Sequence, residues 1–101
     1  MQNKVSKFNK KSGKKPMPIY ARLLDTGSEL GELFKEYLKS SEYGTGEFAI
    51  TEDFKMEYGD VLYCLLSLAE EANLNAEECL DEALTKYQKR FDKKKDLGSG
   101  N

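Results

Sequence analysis

Apolar residues recur along this chain at helical spacing, and nowhere do they alternate over enough positions to mark a strand. Ile19, Leu23, Leu30, Leu33, Phe34, Tyr37 and Leu38 predict a helix from Pro18 or Ile19 to about Lys39. Thr26-Gly27-Ser28 is its weak point, where it can kink or divide. A loop holding Gly44 and Gly46 covers Ser40 to Ile50. Thr51 then offers an N-cap, and Glu52 and Asp53 complement the dipole in the first turn of a helix ending near Ala72. Asn73-Leu74-Asn75 makes a turn, and Asn75-Ala76-Glu77-Glu78 has the form of a capping box with Asn in place of Ser or Thr. The last helix is expected from Ala76 to about Lys93, with Ala76, Cys79, Leu80, Ala83, Leu84, Tyr87 and Phe91 as a core stripe.

Ahead of these, residues 2–12 predict a short helix with Val5 and Phe8 on one side, ended by Gly13. Pro16 and Pro18 make Lys14 to Pro18 a linker. The sum is an all-α chain, most simply an antiparallel helical bundle of about four helices. Its expected organisation is a basic N-terminal arm or short helix (1–16), a helical domain (17–95) and a tail (96–101) that its composition marks as flexible. The segment Val61 to Ala69 is apolar nearly all round, as in a helix buried on several sides. One small subunit does not easily cover it, so a homodimer or a dimer of dimers (homotetramer) is expected.

Composition narrows the possibilities. The chain has 101 residues, 34% charged and 39% hydrophobic, with a net charge of −2, which describes one soluble globular domain. Six lysines and no acid lie in residues 1–16, and all eighteen acids follow. Such an arm suits either a solvated terminus or an anionic partner, while the acidic remainder argues against a nucleic acid duplex. Cys64 and Cys79 sit in helical apolar patterns and read as core residues of a reducing compartment. The absence of histidine excludes a Cys/His metal site. No signal peptide or membrane span is evident, since the run Val61 to Ala69 is short and broken by Ser67. A cytoplasmic protein is expected.

The chemistry lies in a near-repeat. Glu29-Leu-Gly-Glu32-Leu-Phe is echoed by Glu57-Tyr-Gly-Asp60-Val-Leu. Residues three apart share a helix face, so each segment presents two carboxylates together. Glu57 lies four before Val61 and Asp60 four before Cys64, in or beside an expected seam at 61, 65, 68 and 72; Glu29 lies four before Leu33. These acids therefore point partly inward, where an unpaired carboxylate is costly and a cation removes the cost. Oxygen donors alone suit Mg²⁺, with Mn²⁺ possible, rather than zinc. Gly31 and Gly59, at matching places in the repeat, are expected to let the two helix backbones approach closely. Glu70, Glu71, Glu77, Glu78 and Asp81 lack this phase and read as solvated surface. Lys86 and Arg90, four apart on the last helix, read either as a snorkelling rim pair or as a phosphate clamp.

Glu29-x-x-Glu32 followed by Glu57-x-x-Asp60 resembles the ExxE…ExxD signature of the MazG-like nucleotide pyrophosphohydrolases, of the all-α NTP pyrophosphatase superfamily. Lys86-Tyr-Gln-Lys-Arg90-Phe resembles their final helix, where a Lys-x-x-x-Arg pair contacts phosphates. The resemblance implies hydrolysis of a nucleoside triphosphate substrate (an NTP or dNTP) to the monophosphate and pyrophosphate. It makes Glu29, Glu32, Glu57 and Asp60 the metal-binding catalytic set and Lys86 and Arg90 the substrate-binding pair. Ser28 departs from the family, many of whose members carry a further Glu there. Tyr20, Phe34 and Phe54 read first as core residues and second as candidates to hold the base.

Two rival readings remain. Asp25-Thr-Gly-Ser28 spells the active-site tetrapeptide of aspartic proteases, but it falls inside a helical pattern, where that chemistry needs two β-loops. A non-catalytic helical bundle that binds a nucleotide or a partner is the second alternative.

Overall fold

The computed structural model describes residues 1–99, and the side chains of residues 1–95. Four helices follow in order: α1 (Gln2–Lys11), α2 (Ile19–Ser40), α3 (Glu52–Glu71) and α4 (Ala76–Ser99), with no strand among the described residues. The all-α expectation holds. α2 runs unbroken through Thr26-Gly27-Ser28, and the Thr26 hydroxyl donates to the Arg22 carbonyl at 2.7 Å within that turn. The aspartic protease tetrapeptide is thus helical, which removes the β-loop geometry its chemistry requires. α4 continues to Ser99, past its expected end, so the backbone of 96–99 is helical; the last two residues of the expected flexible tail lie outside the described residues.

The expected caps form. The Thr51 hydroxyl accepts from the Phe54 N–H at 3.0 Å, and the Asn75 side chain accepts from the Glu78 N–H at 3.0 Å. Between α2 and α3 the chain turns through Glu42, Tyr43 and Gly44, all with positive φ. Ser41 holds this turn, its buried hydroxyl donating to the Tyr37 carbonyl at 2.8 Å and accepting from the Gly44 N–H at 3.1 Å. Phe48 meets Tyr37 at a tilt and Phe54 edge-on, each with ring centroids 5.0 Å apart, which fastens the loop to the end of the helix pair.

α2 and α3 form the main pair, and α1 lies along α3. Polar side chains, rather than the expected Val5 and Phe8 alone, fix α1. The Gln2 amide donates to Glu70 at 3.0 Å and to the Leu74 carbonyl at 2.8 Å, and its oxygen accepts from the Ala76 N–H at 2.7 Å. About two turns along, Asn9 donates to the Ser67 hydroxyl at 3.3 Å and accepts from the Tyr63 hydroxyl.

The face that α2 turns inward differs from the one its apolar stripe predicts. Its buried and half-buried residues include the row Arg22, Thr26, Glu29, Leu33, Glu36 and Ser40, spaced four and three apart, with Ala21, Asp25 and Gly31 beside it. Ile19, Leu23, Leu30, Phe34, Tyr37 and Leu38 lie 39% or more exposed. α4 stands away from both α2 and α3, and its stripe at Leu80, Leu84, Tyr87 and Phe91 is more than half exposed. Among the described residues only Cys64, Leu66 and Ala69 are buried apolar side chains. Leu65, placed by spacing in the α3 seam, is also exposed. The single chain therefore carries two long apolar faces that it does not cover itself.

Candidate functional site

The inward phase of α2 and α3 sets three acids against one another. One oxygen each from Glu29, Glu57 and Asp60 lies within 4.8 Å of the other two. Glu29 and Glu57 are half-buried and Asp60 is exposed, so the cluster sits in the mouth of the α2–α3 groove. Partial burial, then the charge of Asp60, raises Glu29 above the usual carboxylate range; Asp25 and Glu32 push the same way. Burial and then Asp60 raise Glu57 likewise, with Glu29, Glu32 and Glu36 adding to it. Desolvation and like charge both favour the protonated form, and no lysine or arginine contributes a compensating effect at either group.

Glu32 falls one step outside this group. It acts on Glu29 and Glu57 through space, but its carboxylate is exposed and lies 3.7 Å from Lys35 on the same helix. The expected four-acid set is thus three convergent acids with Glu32 beside them. Ser28, the departure from the resembled signature, is exposed on α2.

Gly31 and Gly59 do not serve the purpose read from them. A Cβ at either position meets nothing within 4 Å, so neither marks a close approach of backbones within the chain. The pair of helices meets instead through the row containing Glu29 and Leu33, one step away from Gly31 around the helix.

Spacing also missed the anchor of the site. Glu71 was expected on the solvated surface, yet its side chain is 6% exposed and receives both arms of Arg22, at 2.7 Å from Nε and 3.0 Å from Nη2. The Met17 N–H donates to the same carboxylate at 2.9 Å. These bonds hold Glu71 below the usual carboxylate range and raise the Arg22 guanidinium. Arg22 continues toward the acid cluster, its Nη1 lying 3.4 Å from Asp25. The buried Cys64 thiol also donates to Asp25, at 3.6 Å, and burial followed by the Asp25 charge pushes that thiol up. Asp25 therefore links the ion pair to the carboxylates one turn on. The available signal was Arg22 itself, a charged residue on the helix row that also holds Glu29.

Lys86 and Arg90 are exposed on α4. The Lys86 ammonium rests 5.1 Å from the Tyr87 ring centroid, and neither residue makes an ion pair among the described residues. Within one chain they are not brought to the carboxylates, because α4 does not pack on α2 or α3. Of the candidate base holders, Tyr20 and Phe34 are exposed, while Phe54 is engaged by Phe48. No helix of the described residues is long and apolar enough to cross a membrane.

No protein-family model matches the chain. It is 37% identical over 78 residues to the uncharacterized protein YpjD of Bacillus subtilis (strain 168), a stretch that is 74% of this chain and 66% of YpjD. The chain thus spans about two thirds of that relative's length. A crystal structure of the "putative pyrophosphatase YPJD from Bacillus subtilis" superposes with a TM-score of 0.70 at 27% identity, covering 85% of this chain and 86% of that one. The fold is shared with YpjD, and about three quarters of the chain aligns with its sequence.

Proposed function

We propose that this relative of YpjD is a Mg²⁺-dependent nucleoside triphosphate pyrophosphohydrolase of the MazG-like kind, cleaving an NTP or dNTP to the monophosphate and pyrophosphate. The observation that carries the reading is the convergence of Glu29, Glu57 and Asp60 from two helices, with no basic side chain acting on either glutamate. The donor set fits a hard divalent cation, since all three ligands are carboxylate oxygens and the chain has no histidine. When bound, such a cation supplies charge neutralisation of phosphate oxygens and acidifies a coordinated water. Glu29, Glu57 and Asp60 would hold it, with Glu32 at the rim available to bind or to accept a proton. The name given to the YpjD structure, "putative pyrophosphatase", is in keeping with the same reaction class.

The phosphates also need cations from the protein, and Lys86 and Arg90 would provide them. One chain leaves them remote, and it leaves the apolar stripes of α2 and α4 uncovered. A homodimer or homotetramer in which α4 of one copy covers a second copy answers both facts at once. The setting proposed is the cytoplasm.

The test is a panel of NTPs and dNTPs with Mg²⁺ or with EDTA, assayed for pyrophosphate. Release with Mg²⁺ alone, lost in Glu57→Gln and Asp60→Asn while the helical circular dichroism persists, is the expected result. Nucleotide binding without release from any substrate would favour the non-catalytic bundle instead.

A further inference from the structure

A second cavity, of about 320 Å³, opens between α1, the linker to α2 and the C-terminal half of α3. Its lining shares no residue with the carboxylate cluster. Ser67 and Asn9 give it polar walls, Ser67 being 1% exposed and hydrogen-bonded to Asn9 at 3.3 Å. Lys10, Lys14 and Lys15 line it as well.

The charges in this cavity do not cancel. Its two acids are already engaged: Glu71 by Arg22 and the Met17 N–H, Glu70 by the Gln2 amide. The three lysines make no ion pair among the described residues. Lys14 is also held in place. Its ammonium lies 5.4 Å from the Phe8 ring centroid and 5.2 Å from that of Tyr63, and it donates to the Tyr63 hydroxyl at 3.4 Å. The Tyr63 hydroxyl in turn donates to Asn9, so the cation, the ring and the cavity wall form one connected unit. A cation fixed by aromatic faces and in no ion pair, although Glu70 and Glu71 line the same cavity, is ready for an external anion.

We propose that this cavity binds the phosphoryl group of a small phosphorylated molecule, with Lys14 as its fixed cation and Lys10 and Lys15 closing on the remaining oxygens. The volume suits a small ligand and is too small for a helix or a duplex. Ammonium groups and a hydroxyl disposed around a concave site match a tetrahedral oxyanion. Ser67 lies seven residues after Asp60 on α3, which places the cavity about 10 Å along the helix from the acids.

The experiment uses the full chain in EDTA, so that no metal bridges phosphate to the carboxylates. Inorganic phosphate is titrated against chloride at equal ionic strength, and amide resonances are followed. Saturable shifts centred on Asn9, Lys14 and Ser67 at millimolar phosphate are expected. Lys14→Gln and Lys10→Gln, each checked by circular dichroism, should weaken this binding roughly tenfold, the loss of one charge-assisted contact. Lys55→Gln, which removes a distant lysine, should leave it unchanged. Shifts absent at millimolar phosphate, centred elsewhere, or equally affected by all three variants would overturn the proposal. Because the carboxylate site is disabled by EDTA throughout, failure here is distinct from failure of the hydrolase reading.

Discussion

Glu29 on α2 and Glu57 on α3 bring carboxylate oxygens within 4.8 Å of each other, and Asp60 completes the group. Like charges this close work against the fold until a cation or a proton separates them. In EDTA near neutral pH, Glu57→Gln should therefore raise the melting temperature slightly above that of the unaltered protein. With Mg²⁺ the order should reverse if the proposed site binds it, because only the unaltered protein would then gain binding free energy in the folded state. Thermal scans with and without Mg²⁺ check this; a variant that gains as much from Mg²⁺ as the parent would place the cation elsewhere.

The same groups set a pH dependence. A carboxylate whose folded pKa is raised destabilises the fold above that pKa, and the penalty disappears as pH falls through it. Glu29 and Glu57 are both raised, so the metal-free protein should become more stable on moving from neutral into mildly acidic solution. Glu71 behaves oppositely, because its folded pKa is depressed by Arg22. Its contribution is present above the ordinary carboxylate range and lost as pH falls below it. A stability maximum on the acid side of neutral, followed by a steep loss, is the expected profile in EDTA. Mg²⁺ should move the maximum toward neutral, since protons compete with the cation for the same oxygens.

Much of this was legible in the chain. Helix order, the Thr51 and Asn75 caps and the meeting of Glu29 with Glu57 and Asp60 all follow from spacing and cap chemistry. Spacing failed where partners lie far apart in sequence. Nothing local says that Glu71 faces Arg22, 49 residues away, rather than water. The α2 stripe misled for a related reason: an apolar row states that a face will be covered, not which element covers it. In the single chain α3 takes the adjacent row, which carries Arg22 and Glu29.

The Arg22–Glu71 pair should be the most sensitive polar contact in the molecule. Both side chains are under a tenth exposed; removing Arg22 leaves Glu71 charged with only the Met17 N–H, and removing Glu71 leaves Arg22 with only its 3.4 Å contact to Asp25. Arg22→Ala or Glu71→Ala should cost about 3 kcal/mol in urea denaturation. The loss should exceed that of Lys55→Ala, whose ion pair with Glu52 is exposed. Equal losses would show that the buried pair is not an anchor.

Gly31 and Gly59 lend themselves to a direct test of the space around the site. Each lies within a helix, and a Cβ at either meets nothing within 4 Å. Gly31→Ala and Gly59→Ala should each stabilise the protein by about 0.5–1 kcal/mol through helix propensity alone. A loss in either variant would reveal that another chain packs there.

The uncovered stripe of α4 carries the last expectation. Leu80, Leu84, Tyr87 and Phe91 are more than half exposed on a helix that touches little of its own chain, and such a face calls for a partner. If a second copy covers it, Leu84→Glu should shift the protein to monomer in sedimentation and lower its melting temperature. Activity should fall with it, because Lys86 and Arg90 ride on the same helix. Complementation separates assembly from catalysis. In the proposed mechanism Glu57→Gln would remove a metal ligand and Arg90→Ala a phosphate contact, so each variant alone should be nearly inactive. Mixed and refolded together, they should regain activity at sites that pair intact carboxylates of one copy with an intact α4 of the other. No recovery in a mixture shown to contain hetero-oligomers would mean that Lys86 and Arg90 do not act across the subunit boundary.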